Sequence, residues 1–107
     1  MKTIEKIKNQ IKNNPIIIYM KGTPEHPSCG FSAQAVKVLS SFGKRFAYID
    51  VLKNSDIRTE LPIYANWPTF PQLWVSGNLV GGCNIILELF KNGKLKKIIN
   101  SVKENKS

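Results

Sequence analysis

The longest apolar run in the chain is Ile16-Ile17-Ile18-Tyr19-Met20, and it admits few folds. The run is too short for a helix, and its β-branched residues favour extended backbone. A strand that is apolar at every position, rather than at alternate ones, has to be covered on both faces. Pro15 to Met20 therefore reads as a fully buried strand. With 107 residues the chain has room for one compact domain and no second core. The run is far too short to span a bilayer, so no membrane association is expected. The start, Met1-Lys2-Thr3-Ile4-Glu5-Lys6, lacks the apolar core and cleavage site of a secretory signal. A cytoplasmic, reducing location is expected.

Around this strand the pattern predicts helices and further strands. Residues 3–13 read as an amphipathic helix capped by Thr3, with Ile4, Ile7 and Ile11 on one face, ended by Asn13-Asn14-Pro15. Lys21 to Ser28 is a loop dense in turn formers. A second helix is expected from Gly30 to about Phe42, stopped by Gly43, and a second strand from Phe46 to Val51. Asn54 or Ser55 can cap a third helix running to about Tyr64. Trp67-Pro68-Thr69-Phe70-Pro71 cannot be regular structure. Gln72 to Val75 and Leu79 to Gly81, joined by Ser76-Gly77-Asn78, form a hairpin pattern. Asn84 is expected to cap a helix to about Phe90. Gly93 interrupts it, Lys94–Asn100 continues, and the chain is expected to fray from about Ser101. The order α-β-α-β-α-β-β-α-α predicts an α/β fold with a mixed four-stranded sheet flanked by helices. In such sheets sites gather at the carboxyl ends of parallel strands.

The formal net charge of +9 raises nucleic acid as a partner. The lysines are scattered over both ends of the chain, however, with no interleaved aromatics of the kind that stack on bases, so none is expected. Cys29 and Cys83 are the two cysteines. A structural disulfide is not expected in a reducing compartment. No CxxC pair exists, and one His with two Cys cannot close a zinc site within one chain.

Cys29 is the candidate nucleophile. It follows the buried strand and its loop and stands at the start of a helix, where free backbone N–H groups and the helix dipole favour a thiolate. Lys21 brings a positive charge to the end of that strand. His26 is either a partner of the thiolate or an exposed loop residue. Three residues after Cys29 stands Ser32, so the internal dithiol route of a CxxC protein is closed. Resolution of a mixed disulfide needs an external thiol or the distant Cys83.

Lys21-Gly22-Thr23-Pro24, Pro27-Ser28-Cys29-Gly30-Phe31-Ser32, Trp67-Pro68-Thr69-Phe70-Pro71-Gln72 and Gly81-Gly82-Cys83 occur in an order and spacing that resemble the single-domain monothiol glutaredoxins of the CGFS type. The likeness extends from about Ile4 to about Ile99. It implies a thioredoxin-like fold that binds glutathione beside Cys29. Lys21 and Arg58 would meet glutathione carboxylates. Phe70 would bind the tripeptide through its backbone ahead of a cis Pro71, and Gly82, Cys83 and Asn84 would hold its γ-glutamyl end. Arg58 read by itself also fits a surface charge, and Phe70 a core residue. Trp74 reads as core, and Trp67-Pro68 as a motif shaping the site and its partner contacts. The family usually has Asp after Gly-Gly-Cys, to pair with the glutathione ammonium; Asn84 keeps only a carbonyl oxygen.

The resemblance also implies a [2Fe-2S] cluster carried between two subunits and passed to iron-sulfur acceptor proteins, and a BolA-like protein as a partner. Such a cluster takes four thiolates. A homodimer supplies two Cys29 sulfurs and two bound glutathiones supply the rest, with Cys83 either an alternative ligand or part of the pocket. The other reading is enzymatic: a glutathione-dependent oxidoreductase that removes glutathione from protein thiols, with Cys29 as nucleophile.

Overall fold

A computed structural model describes residues 2–102. In chain order the elements are α1 (Thr3–Asn13), β1 (Ile16–Met20), α2 (Gly30–Ser40), β2 (Ala47–Asp50), α3 (Ser55–Ala65), β3 (Gln72–Val75), β4 (Asn78–Gly81), α4 (Cys83–Lys91) and α5 (Lys94–Asn100). The strands form one sheet in the order β2-β1-β3-β4. β1 runs parallel to β2 and antiparallel to β3, and β3 and β4 form a hairpin.

The apolar run is the interior of this sheet, bonded on both edges and buried at every residue. Because side chains alternate along a strand, β1 serves two cores. Ile16, Ile18 and Met20 pack with Leu73 and Val75 against α2, α4 and α5. Ile17 and Tyr19 pack with Trp74 against Ile7 and Ile11 of α1 and Ile57 and Leu61 of α3. The expected layering and element order are both observed. Trp74 is core, as expected; its indole N–H donates to Gln72 Oε1 at 3.2 Å and its ring stacks on Tyr64.

The helix starts differ from expectation. Thr3 is the first residue of α1 rather than its cap, and its hydroxyl donates to Asp56 Oδ2 of α3 at 3.3 Å. Lys6 pairs with the same carboxylate, so a tertiary partner captures the side chain that local capping would use. Asn54 does sit at the cap position of α3, but its Nδ2 donates back to the Asp50 carbonyl. Helix α4 begins at Cys83 with an extended Gly82 before it, which puts Asn84 in the first turn and not at the cap. α2 ends at Ser40, whose following turn runs to Gly43 at φ +67°. The hairpin turn is the two residues Ser76 and Gly77, both at positive φ as a twist-matched turn requires, so β4 starts one residue early, at Asn78. Ser101 still bonds to Lys97 and Val102 is buried against the core, so fraying does not begin at Ser101; residues 103–107 lie outside the described part.

Because Ile18 is fully buried between the sheet and α2, Ile18→Ala is expected to cost about 2–5 kcal/mol through lost burial and a residual cavity. Urea denaturation with an unchanged slope checks this.

Candidate functional site

The chain leaves β1 into a loop that closes on itself. Gly22 and Pro27 form an isolated antiparallel bridge, and Thr23 and His26 exchange backbone hydrogen bonds of 3.3 and 3.1 Å. Ser28 N–H then donates to the Lys21 carbonyl at 2.9 Å, returning the chain to its starting point. Gly22 makes this possible: its φ is +91°, and a β-carbon there would lie 2.5 Å from the His26 carbonyl oxygen. Cys29 therefore emerges beside Lys21, at the cap position of α2. His26 stays exposed on the loop and lines no part of the cleft described below, which leaves it as a loop residue.

At this position the Cys29 thiol is held below its ordinary pKa. The backbone N–H of Ser32 is the main cause; a smaller desolvation penalty opposes it, and the N–H of Phe31, the Lys21 ammonium and the Ser32 hydroxyl add to the lowering. No short cap hydrogen bond is closed by the side chain, so these donors act chiefly on the charged sulfur. Ser32 is fully buried, and its oxygen accepts the Lys21 N–H at 3.1 Å. One hydroxyl thus ties the end of β1 to the first turn of α2.

Cys83 has the opposite surroundings. It is 8% exposed, and its thiol donates to Gln34 Oε1 at 3.5 Å. Burial pushes its pKa up, and the Cys29 charge pushes it further. Both cysteines are free thiols. Their mutual influence and shared cleft show that Cys83, far away in sequence, is a neighbour of Cys29 in space.

The cleft has a volume of about 550 Å³. Lys21 and Cys29 line it from the loop and α2, Arg58 from α3, Phe70 from the irregular segment before β3, and Gly82, Cys83 and Asn84 from the start of α4. All seven residues expected at the site come together. The Phe70–Pro71 bond is cis, as expected. The Phe70 N–H and C=O make no hydrogen bond with other described residues, and so stay available. Arg58 is exposed and makes no ion pair among the described residues. Gly82 is closely packed: a β-carbon there would lie 3.3 Å from Pro71 O and Trp67 Nε1, and these neighbours would have to give by a few tenths of an ångström. Gln34 and Asp50 also shape the site, and sequence reasoning missed them; each acts on a partner distant in sequence and belongs to no local motif. Among the described residues no group of three or more His, Cys, Asp and Glu side chains could hold a metal ion, and no helix is long and apolar enough to cross a membrane.

A low-pKa thiol at the amino end of a helix, following the central strand of a mixed sheet and sharing a cleft with a cis-proline, defines a thiol protein of the thioredoxin-like fold. The Glutaredoxin family profile matches residues 16–80, and the chain belongs to the glutaredoxin family. It is 77% identical over 97 residues to Glutaredoxin 4 of Buchnera aphidicola subsp. Baizongia pistaciae (strain Bp), covering 91% of this chain and 90% of that one. Among solved structures, the solution structure of reduced poplar apo GrxS14 superimposes with a TM-score of 0.80 at 35% identity, covering 92% of this chain and 90% of that chain. A buckwheat glutaredoxin–glutathione complex shares the fold with a TM-score of 0.81 at 24% identity, covering 92% and 87%.

The opposite pKa directions of the two thiols predict selective reaction. At neutral pH a limiting amount of iodoacetamide is expected to modify Cys29 at least about tenfold faster than Cys83, because the thiolate is the nucleophile. Peptide mapping by mass spectrometry checks this; equal labelling would refute it.

Proposed function

We propose that this protein binds glutathione in the cleft and that two copies, each contributing Cys29, hold a [2Fe-2S] cluster destined for iron-sulfur acceptor proteins. The observation that carries the reading is the single activated thiol set among two cations and free backbone groups, with Ser32 where a second thiol would stand. Glutathione is an anionic peptide. Lys21 and Arg58 suit its carboxylates, the unpaired Phe70 backbone suits its amide groups as an added strand does, and Gly82, Cys83 and Asn84 suit its γ-glutamyl end.

The donor set of this chain fits a shared cluster better than a private one. A [2Fe-2S] centre takes four thiolates, and one chain offers one good thiolate. Cys83 is buried, protonated and engaged with Gln34, which makes it a poor ligand. Two chains and two glutathiones complete the count. When bound, the cluster supplies the cargo; the chain's own residues hold the glutathione, keep the Cys29 sulfur charged and shape the surface another subunit meets. A BolA-like protein and iron-sulfur acceptors are the further partners of this reading. Two free thiols suit a reducing compartment, so we place the protein in the cytoplasm, without nucleic-acid or membrane partners.

The same thiolate favours a second reading. Cys29 can attack the glutathione sulfur of a glutathionylated protein, forming Cys29–S–SG and releasing the protein thiolate to be protonated. A second glutathione thiolate then forms glutathione disulfide and restores Cys29.

Anaerobic reconstitution with iron, sulfide and glutathione separates the readings. A visible [2Fe-2S] spectrum with a monomer-to-dimer shift, absent in Cys29→Ser, supports the carrier. A colourless monomer with rapid glutathione-dependent reduction of a glutathionylated peptide refutes it in favour of the enzyme. The exposed Asn84 supplies no charge for the glutathione ammonium. Asn84→Asp is therefore expected to strengthen glutathione binding by roughly 1 kcal/mol, or about fivefold. Equal affinity by calorimetry would count against this placement of the ligand.

A further inference from the structure

Asp50 closes β2 and is 9% exposed, yet it makes no ion pair among the described residues. A buried carboxylate without a cation must recover its lost hydration through hydrogen bonds. Asp50 Oδ1 accepts two, from Leu52 N–H at 3.0 Å and Gly22 N–H at 2.9 Å. The first is a local turn. The second reaches the corner where the thiol loop leaves β1, next to Lys21, at a glycine whose backbone no side chain could share.

The main chain of the same residue acts on another wall of the cleft. Its carbonyl accepts Asn54 Nδ2 at 2.8 Å and Lys53 N–H at 3.2 Å. Asn54 opens α3, and its own carbonyl takes the Arg58 N–H at 3.0 Å. One residue is thus tied through its carboxylate to the corner carrying Lys21, and through its carbonyl to the turn that launches Arg58.

We infer that Asp50 is a positioning residue of the cleft: it holds the two cationic residues, Lys21 and Arg58, in one frame so that both address the same anionic ligand. This rests on the glutathione reading above for its ligand, though not for the latch itself. Cations carried on a free loop and an independently mobile helix would each have to be ordered on binding, and preorganising them spares that cost.

Two measurements test it. In the first, glutathione affinity is read by calorimetry on the full chain. Asp50→Ala is expected to weaken binding about tenfold, the scale of losing one hydrogen bond. Asp50→Asn, whose oxygen can still accept both N–H groups, is expected to stay within about twofold, because geometry rather than charge is what the latch supplies. Wild-type affinity in Asp50→Ala, or equal loss in both variants, overturns the inference. In the second, amide hydrogen exchange is followed without ligand. Asp50→Ala is expected to release the Gly22 and Ser28 amides while those of β1 keep their protection; uniform loss across the sheet overturns the latch. Should Asp50→Ala not fold, Asp50→Glu keeps the charge but moves the acceptor by one methylene: weakened glutathione binding with release of the Gly22 amide supports the latch, and wild-type values for both overturn it. Failure of the wild-type chain to bind glutathione sinks the function reading alone, because the exchange result stands without it.

Discussion

The parallel register of β1 on β2 pairs Ile17 with Ala47 and Met20 with Asp50, and Val51 N–H closes it by donating to Met20 O at 2.8 Å. Slipping it by one residue would exchange the faces of a strand that serves a different core on each side. It would also carry Asp50 away from Gly22. The same pairing that buries Ile17 and Ile18 on opposite faces thus sets the distance between the end of β1, where the thiol loop begins, and the end of β2, where α3 is launched. The cleft lies just beyond these two ends, and its side chains inherit their placement from the sheet.

Within that frame the two thiols have been given different work by their surroundings alone. Both stand at the start of a helix, where N–H groups favour an anion. Cys29 keeps that benefit because little apolar surface covers it and Lys21 lies near. Cys83 loses it: burial raises the cost of a charge, and Gln34 offers an acceptor that suits a protonated thiol. Ionising Cys29 makes Cys83 harder to ionise still. The pair therefore behaves as one reactive sulfur with a neutral neighbour, a division that suits a site using thiols from outside the chain.

Sequence patterns revealed what depends on neighbours along the chain. The β1 run, the turn at Ser76-Gly77 and the break at Gly93 all follow from local periodicity and turn chemistry, and the order of elements follows from them. Five of the seven site residues were legible because they fall in four short motifs; Arg58 and Asn84 stand outside them and were placed by the family likeness. What escaped was every side chain whose partner is remote. Thr3 was expected to cap α1 and instead bonds Asp56, 53 residues away. Asp50 reads in sequence as one residue of a strand running to Val51, and its reach of 28 residues to Gly22 is visible only after the parallel pairing forms. Gln34 was one polar residue on a helix until the packing of α2 against α4 brought Cys83 to it. The cap of α4 lies two positions before the expected Asn84, because an extended Gly82 lets the helix begin at Cys83.

The described residues lining the cleft include Lys21 and Arg58 and no aspartate or glutamate. This is more informative than the net charge of the whole chain, since distant lysines are screened beyond about 10 Å at ordinary ionic strength. A cleft with two cations and no acid discriminates by sign: it rewards carboxylates and gives an ammonium only neutral oxygens, such as that of Asn84. On the proposed reading a zwitterionic peptide would be gripped at its carboxylates and offered only neutral oxygens at its amine. On the glutathione reading the two carboxylates stand at opposite ends of the tripeptide, so contacts to both would fix its orientation and present its sulfur beside Cys29. In this arrangement the relative placement of Lys21 and Arg58 matters more than the strength of either contact, and their placement is what the ends of β1 and β2 determine.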